Sequence, residues 1–206
     1  MVNRTHDLIE ITDLSWLSMD ENQEWTAASL RRIPFVVVRR AEQLQDGGIP
    51  VGIRGAERNQ RAAARLAPQG IRRSITPYEV ARERLWTTLP AERQELPVLR
   101  IMDKAAELLK EWHWGPAGSA GFEMVTGYPS LKETSDLDLV IGSSGMIGRR
   151  QAEILLRELD KLGPRIDIQW EIEEGAYILR ELVNGLTDSV VLRTIHGSRL
   201  VRNPWR

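Results

Sequence analysis

Apolar and polar positions alternate along this chain in segments short enough to be read one by one. Residues 33–40, Ile-Pro-Phe-Val-Val-Val-Arg-Arg, carry a β-branched apolar run behind a proline and predict a strand. Asp46-Gly47-Gly48-Ile49-Pro50 is a turn signal, and Val51 to Gly55 follows as a second short strand. Glu57 to Leu66, rich in Ala and Arg, suits a helix although it lacks an apolar stripe. Thr76-Pro77-Tyr78-Glu79 opens another helix, with Thr76 as cap, Pro77 in the first turn and Glu79 completing a capping box. That helix is expected to run to about Trp86.

The second half has stronger periodicity. Between Pro97 and Trp112 the apolar residues Val98, Ile101, Met102, Ala105, Leu108, Leu109 and Trp112 recur at helical spacing. Gly115 to Gly121 reads as a turn that interrupts any helix, and Phe122 to Thr126 as a strand. Leu137-Asp138-Leu139-Val140-Ile141 predicts a buried strand with one charge inside it. Ile147 to Leu162 predicts an amphipathic helix stopped by Gly163-Pro164. Arg165 to Ile172 alternates polar and apolar, the pattern of a half-buried strand. Gly175 to Val183 suggests a further helix, and the tail has short apolar runs at Val190 to Leu192 and Leu200-Val201. Strands and helices in this order predict an α+β chain of two domains: a smaller N-terminal α/β domain over 1–88 and a mixed-sheet domain over 89–206, with a ligand in the cleft between them.

Composition narrows the class. With 42% hydrophobic and 28% charged residues the 206-residue chain falls among globular proteins, and no apolar run approaches the roughly 20 residues of a membrane span. The absence of cysteine removes disulfides, Cys-ligated metals and thiol nucleophiles. Met1 to Glu10 carries Arg4, Asp7 and Glu10 rather than a signal-peptide core, so a cytoplasmic setting without membrane attachment is expected. The net charge of −1 hides an asymmetry: residues 39–84 hold ten Arg against five acids, and residues 101–206 hold thirteen Lys plus Arg against sixteen acids. A duplex-DNA binder is usually more basic overall, so no nucleic-acid partner is expected. An anionic small ligand is one reading of the Arg-rich stretch, and a solvated surface is the other.

Candidate chemistry concentrates at 118–167. An Asp inside a buried strand is costly unless it is paired or bound to a cation. Asp136 and Asp138, two residues apart, point to the same face of an extended chain, and their mutual repulsion is relieved by a hard, oxygen-preferring cation such as Mg²⁺. Asp167 on a later strand adds a third carboxylate, as metal ligand or as general base. Gly118 and Ser119 offer close backbone approach and a hydroxyl donor to a phosphate. Plainer readings stand beside these: a solvated Asp167, a Ser119 that only turns the chain, and glycines that only permit sharp angles. His6 beside Asp7 suits a structural or substrate-contacting role, His113 packing at a helix end, and His196 a loop.

Gly-Ser followed by apolar-Asp-apolar-Asp-apolar, then a single Asp on a later strand, resembles the nucleotidyltransferase superfamily of DNA polymerase β type over about residues 97 to 175. The resemblance implies that Gly118 and Ser119 contact a phosphate tail and that Asp136, Asp138 and Asp167 hold Mg²⁺. The sixteen residues between Ser119 and Asp136 exceed the superfamily's usual spacing and leave room for an insert around Gly127 to Glu133. A narrower resemblance rests on Gly-Pro-Ala-Gly-Ser-Ala-Gly-Phe-Glu-Met-Val-Thr-Gly at 115–127, Ser-Asp-Leu-Asp-Leu at 135–139 and Arg-Ile-Asp-Ile-Gln at 165–169. Arg4 to Leu8, Pro34 to Arg40, Val51 to Gly55 and Val191 to Thr194 extend it over nearly the whole chain. Together they look like the phosphoribosyl-dephospho-CoA transferases of malonate decarboxylase. That family's activity, transfer of a prosthetic group from 2′-(5″-triphosphoribosyl)-3′-dephospho-CoA to a serine of an apo acyl-carrier protein with release of diphosphate, is then the expectation. Arg54, Arg58, Arg61, Arg72 and Arg73, with Lys132 and Arg193, become candidates for its phosphate charges. The rival readings are another nucleotidyltransferase, adenylylating a small molecule or a protein, and a non-catalytic binding module of the same fold.

Overall fold

The computed structural model describes residues 4–19, 23–42, 47–57, 59–142, 147–185 and 188–206. The chain divides into two compact units, Met1–Thr76 and Pro77–Arg206, and each is built around its own six-stranded sheet. The mixed α and β content agrees with an α+β class. No described helix is long and apolar enough to cross a membrane.

In the first unit the elements run β1 (Leu8–Ile11), β2 (Leu17–Ser18), α1 (Glu24–Arg32), β3 (Phe35–Val38), β4 (Ile49–Arg54), β5 (Arg61–Leu66) and β6 (Ile71–Ile75). Their order across the sheet is β2-β5-β4-β3-β1-β6, and every pairing is antiparallel. Ile9, Val36, Val51, Ile53 and Leu66 fill the buried face, and Leu30 of α1 joins the same cluster. The helix expected over 57–66 is instead strand β5. Arg61, Ala63 and Arg65 face solvent while Ala62, Ala64 and Leu66 are buried, and all six residues pair with β4. The helical preference of Ala is a few tenths of a kcal/mol per residue, and a full ladder with an apolar face outweighs it. Pro50, expected in a turn, lies within β4; Asp46 of the same turn lies outside the described residues.

The second unit opens with four short helices: α2 (Pro77–Arg82), α3 (Ala91–Gln94), α4 (Pro97–Arg100) and α5 (Met102–Leu108). The first stops short of Trp86 because the backbone turns left-handed at Arg84, φ 51°. The continuous helix expected over 97–112 is broken at Ile101 and ends at Leu108, although Val98, Met102, Ala105 and Leu109 remain buried as the periodicity predicts. There follow β7 (Trp114–Pro116), α6 (Gly118–Thr126), β8 (Leu137–Ile141), α7 (Arg149–Asp160), β9 (Ile166–Ile172), β10 (Gly175–Ile178), α8 (Leu179–Asn184), β11 (Ser189–Thr194) and β12 (Gly197–Arg202).

These strands are ordered β12-β11-β10-β9-β8-β7. Only β8 and β9 run parallel, joined through α7, whose Ala152, Leu155, Leu156 and Leu159 are buried. In β9 the burial alternates as the sequence predicts, with Ile166, Ile168 and Trp170 inside. Residues 175–183 split into β10 and α8, because Gly175 to Ile178 pair with the end of β9 before any helix starts.

The largest departure from the sequence reading is α6, which occupies 118–126 of the expected turn and strand, while Gly115 and Pro116 belong to β7. Gly121 does not break it. A Cβ there would lie 2.6 Å from the Pro116 carbonyl oxygen, so glycine is what lets the helix pack on β7. This gives a test of sign. In an open helix Gly→Ala stabilises by about 1 kcal/mol; here the overlap with β7 should reverse that, and Gly121→Ala should lose about 1–3 kcal/mol in urea unfolding. A raised midpoint would show that the helix stands clear of β7.

Candidate functional site

The acidic residues singled out in the sequence lie at, or just before, the start of the parallel strand pair. Asp138 is the second residue of β8 and Asp167 the second of β9, and the two are direct register partners. Partners in a parallel ladder share a face, so both carboxylates stand on one side of the sheet. Asp136 sits just before β8, two residues from Asp138 and exposed to solvent. Its charge acts on the guanidinium of Arg165, whose Nε lies 3.0 Å from Asp167 Oδ2 and 3.2 Å from Oδ1. The hydrogen bond that Arg165 donates to Asp167 raises the pKa of Arg165 above its ordinary value, with the field of Asp136 a lesser cause. Arg165 thus lies beside two of the three carboxylates.

The Gly-Ser pair meets this face from α6. Gly118 is its first residue, with φ 58°, and Ala117 just before it donates its amide to the Asp138 carbonyl at 2.8 Å. A Cβ built on Gly118 would fall on the Asp138 carboxylate. Glycine is therefore required twice at 118, for its left-handed backbone and for the space the carboxylate takes. Ser119 follows in the first turn of the helix. The first amides of a helix have no internal acceptors and attract anions. Carboxylates and a helix N-terminus so juxtaposed can receive a cation and a phosphate side by side.

The donor set fits Mg²⁺ of one kind. Among the described residues no group of three or more His, Asp or Glu side chains is gathered as a ready metal cage. Mg²⁺ commonly keeps several waters and takes one or two carboxylates together with substrate phosphates. Two carboxylates beside a helix N-terminus match that second arrangement.

The remaining candidates are placed differently. Lys132 is exposed, four residues before Asp136, with its amide donating to Ser135 Oγ at 2.9 Å. Arg193 on β11 has its guanidinium 3.6 Å from Glu181. Arg54 ends β4 of the first unit, and Arg58 lies outside the described residues. Arg61 heads β5. Arg72 and Arg73 are both engaged by Glu10, at 3.1 and 2.6 Å, which lowers the charge they can offer a ligand. Asp7 is buried and accepts the Arg4 amide at 2.8 Å, a structural role. The His113 ring stacks on Tyr78 with centroids 3.7 Å apart.

Three residues beside the site carry no mark in the sequence reading: Glu123, Arg93 and Ser130. Glu123 of α6 has no solvent exposure. Its carboxylate accepts from Arg93 Nε at 2.7 Å and Nη2 at 3.0 Å, and from the amides of Ser130 and Leu131 at 2.7 Å each. Arg93 also donates to the Leu131 carbonyl at 2.9 Å, and Ser130 Oγ to the Ser119 carbonyl at 2.8 Å. The hydrogen bond to Glu123 holds the Arg93 pKa above even its usual value, so this cation stays charged. One signal was available: an acid between Phe122 and Met124 in an apolar run needs a buried partner.

Comparison with known proteins bears on the same segments. The family model described as the phosphoribosyl-dephospho-CoA transferase MdcG C-terminal domain matches residues 84–204, and the one for the N-terminal domain matches residues 4–77. The chain is 38% identical to a phosphoribosyl-dephospho-CoA transferase of Pseudomonas putida strain GB-1, covering 98% of this chain and 95% of that one. It is 35% identical to those of Pseudomonas syringae pv. tomato, over 97% and 92% of the two chains, and of Klebsiella pneumoniae strain 342, over 98% and 96%. No solved structure matches. The chain is therefore an enzyme of the transferase class. It belongs to the phosphoribosyl-dephospho-CoA transferase family.

Gly118→Ala tests the packing of the site. The side chain should displace the Asp138 carboxylate and reduce turnover by about 100-fold, the scale of a 1 Å misplacement. The left-handed backbone should cost only about 1–2 kcal/mol in unfolding. Full activity in the variant would show that the Gly118–Asp138 contact is not part of the working site.

Proposed function

We propose that this protein transfers the phosphoribosyl-dephospho-CoA group from 2′-(5″-triphosphoribosyl)-3′-dephospho-CoA to a serine of the apo acyl-carrier protein of malonate decarboxylase, releasing diphosphate. Its second unit then works as a nucleotidyltransferase domain of polymerase β type. The observation that carries this reading is the in-register pair Asp138 and Asp167 beside the N-terminus of α6, with Gly118 against Asp138. Family membership supplies the substrate class.

In this mechanism the first amides of α6 and the Ser119 hydroxyl bind the triphosphate oxygens, aided by the helix dipole. Asp136 and Asp138 would hold Mg²⁺, and Asp167 would serve as a third ligand or as the base. The ion, when bound, supplies positive charge against the phosphates and the leaving diphosphate. Lys132 adds a cation near the start of the Asp136 segment, while Arg54 and Arg58 remain candidates for the dephospho-CoA charges.

The carrier's serine oxygen attacks the α-phosphorus, forming the new P–O bond as the bond to diphosphate breaks. Its proton passes to a base, for which Asp167 is available as a carboxylate beside Arg165. The product is a phosphodiester on the carrier. Adenylylation of another acceptor would use the same carboxylates with ATP, and the family match favours the dephospho-CoA donor over it.

Purified protein, Mg²⁺, the triphosphoribosyl-dephospho-CoA donor and apo-carrier should give a carrier heavier by one prosthetic group in intact-mass spectrometry. Chelation with EDTA should abolish the gain. Asp136→Ala and Asp138→Ala should each lower the rate by about a thousandfold or more, the scale of removing a principal element of transition-state stabilisation. No mass gain with the wild-type protein, or equal gain with ATP in place of the donor, would refute the assignment.

A further inference from the structure

The two carboxylates proposed to hold the metal are fixed by different means. Asp138 lies in β8, which is hydrogen-bonded to β7 on one side and β9 on the other. Asp136 lies before the strand. On its C-terminal side the Leu137 amide reaches the Arg165 carbonyl at 2.9 Å. On its N-terminal side is a tight turn, closed by Ser135 N to Lys132 O at 3.0 Å and Lys132 N to Ser135 Oγ at 2.9 Å. The turn itself lies outside the strands.

The setting comes from α6. Ser119 and Glu123 are four residues apart and share one face of the helix. Ser130 is gripped by both, its hydroxyl on the Ser119 carbonyl and its amide on the Glu123 carboxylate. Leu131 is tied through its amide to Glu123 and through its carbonyl to Arg93. The turn of 132–135 begins at the next residue. Hydrogen bonds from α6 to Ser130 and Leu131, and from there the covalent backbone into the 132–135 turn, thus join the proposed phosphate end of α6 to Asp136.

An ion pair with a fully buried carboxylate and a half-buried guanidinium is a poor way to gain stability, since a well-packed apolar pair of similar volume often does as well. Its use is geometric: one carboxylate saturated by four donors holds each of them in place. We infer that Glu123, clamped by Arg93, is a positioning residue for the transfer reaction, fixing the 130–135 segment so that Asp136 joins Asp138 on the metal. This rests on the metal-dependent reading given under the proposed function.

The test measures Mn²⁺ affinity of the intact protein by the electron paramagnetic resonance signal of free Mn²⁺. Carrier loading and amide hydrogen exchange over 130–136 are followed alongside. Glu123→Gln keeps the shape but turns an N–H donor toward donors. It should weaken Mn²⁺ binding by about 10–100-fold, the usual effect of losing a group that orients a metal ligand. Its kcat should fall while KM for the carrier stays within about twofold, and raised Mg²⁺ should recover part of kcat, because only positioning is impaired. Exchange at 130–136 should accelerate. Ser135→Ala, which removes the acceptor for the Lys132 amide and leaves the buried pair intact, should shift Mn²⁺ affinity in the same direction by a smaller factor. It decides the matter if Glu123→Gln fails to fold. A folded Glu123→Gln or Ser135→Ala protein with wild-type Mn²⁺ affinity would overturn the role of this segment while leaving the metal reading standing. A wild-type protein that binds no Mn²⁺ even with the triphosphoribosyl-dephospho-CoA donor present would overturn both.

Discussion

A single buried carboxylate organises the neighbourhood of this enzyme's candidate site. Glu123 lies in the middle of α6 without solvent exposure, yet it is saturated by the Arg93 guanidinium and two backbone amides. Isolated, such a charge would cost several kcal/mol to bury. The fold meets that cost by bringing Arg93 from α3 and the segment after α6 to the same point. The segment between α6 and β8 is thereby anchored at Ser130 and Leu131, shortly before Asp136, while Asp138 is held within β8. The sheet contributes the other half through the register of Asp138 with Asp167.

The architecture explains why a helix begins where the acidic strands begin. Strand β7 pairs with β8 and leads directly into α6, so the N-terminus of α6 is delivered next to Asp138. Gly121 permits the close approach of helix to strand, and Gly118 leaves room for the carboxylate. The parallel crossover through α7 then returns the chain to place Asp167 beside Asp138. Backbone placement of this kind uses regular elements, which hold catalytic groups more precisely than loops do.

The sequence made parts of this legible and concealed others for physical reasons. Strand β9 and helix α7 followed their patterns because burial there alternates or recurs at a single period, and β3 and β8 because their apolar runs are buried nearly throughout. The Asp136–Asp138 spacing announced itself because charges in an apolar strand are expensive. Helix α6 was hidden: three glycines between 115 and 121 carry the usual meaning of a turn, whereas all three serve close packing, against the Pro77 backbone, the Asp138 carboxylate and the Pro116 carbonyl, neighbours that only the fold supplies. Strand β5 was hidden by its alanines, whose helical preference is weaker than a ladder with β4. The Arg93–Glu123 pair, thirty residues apart, left only the trace of an acid among Phe122, Met124 and Val125. Arg72 and Arg73 looked available as anion ligands until Glu10 was seen between them.

Family membership defines the transferase class, and the carboxylates near the N-terminus of α6 are the proposed seat of its chemistry. The most direct measurement is anomalous diffraction from crystals soaked with Mn²⁺ and the triphosphoribosyl-dephospho-CoA donor. The account predicts a Mn²⁺ peak at about 2.1–2.2 Å from oxygens of Asp136 and Asp138, slightly longer than the distances typical of Mg²⁺, with a donor phosphate oxygen completing it next to Gly118 and Ser119. A Mn²⁺ peak elsewhere, or a donor bound with its triphosphate away from α6, would contradict it.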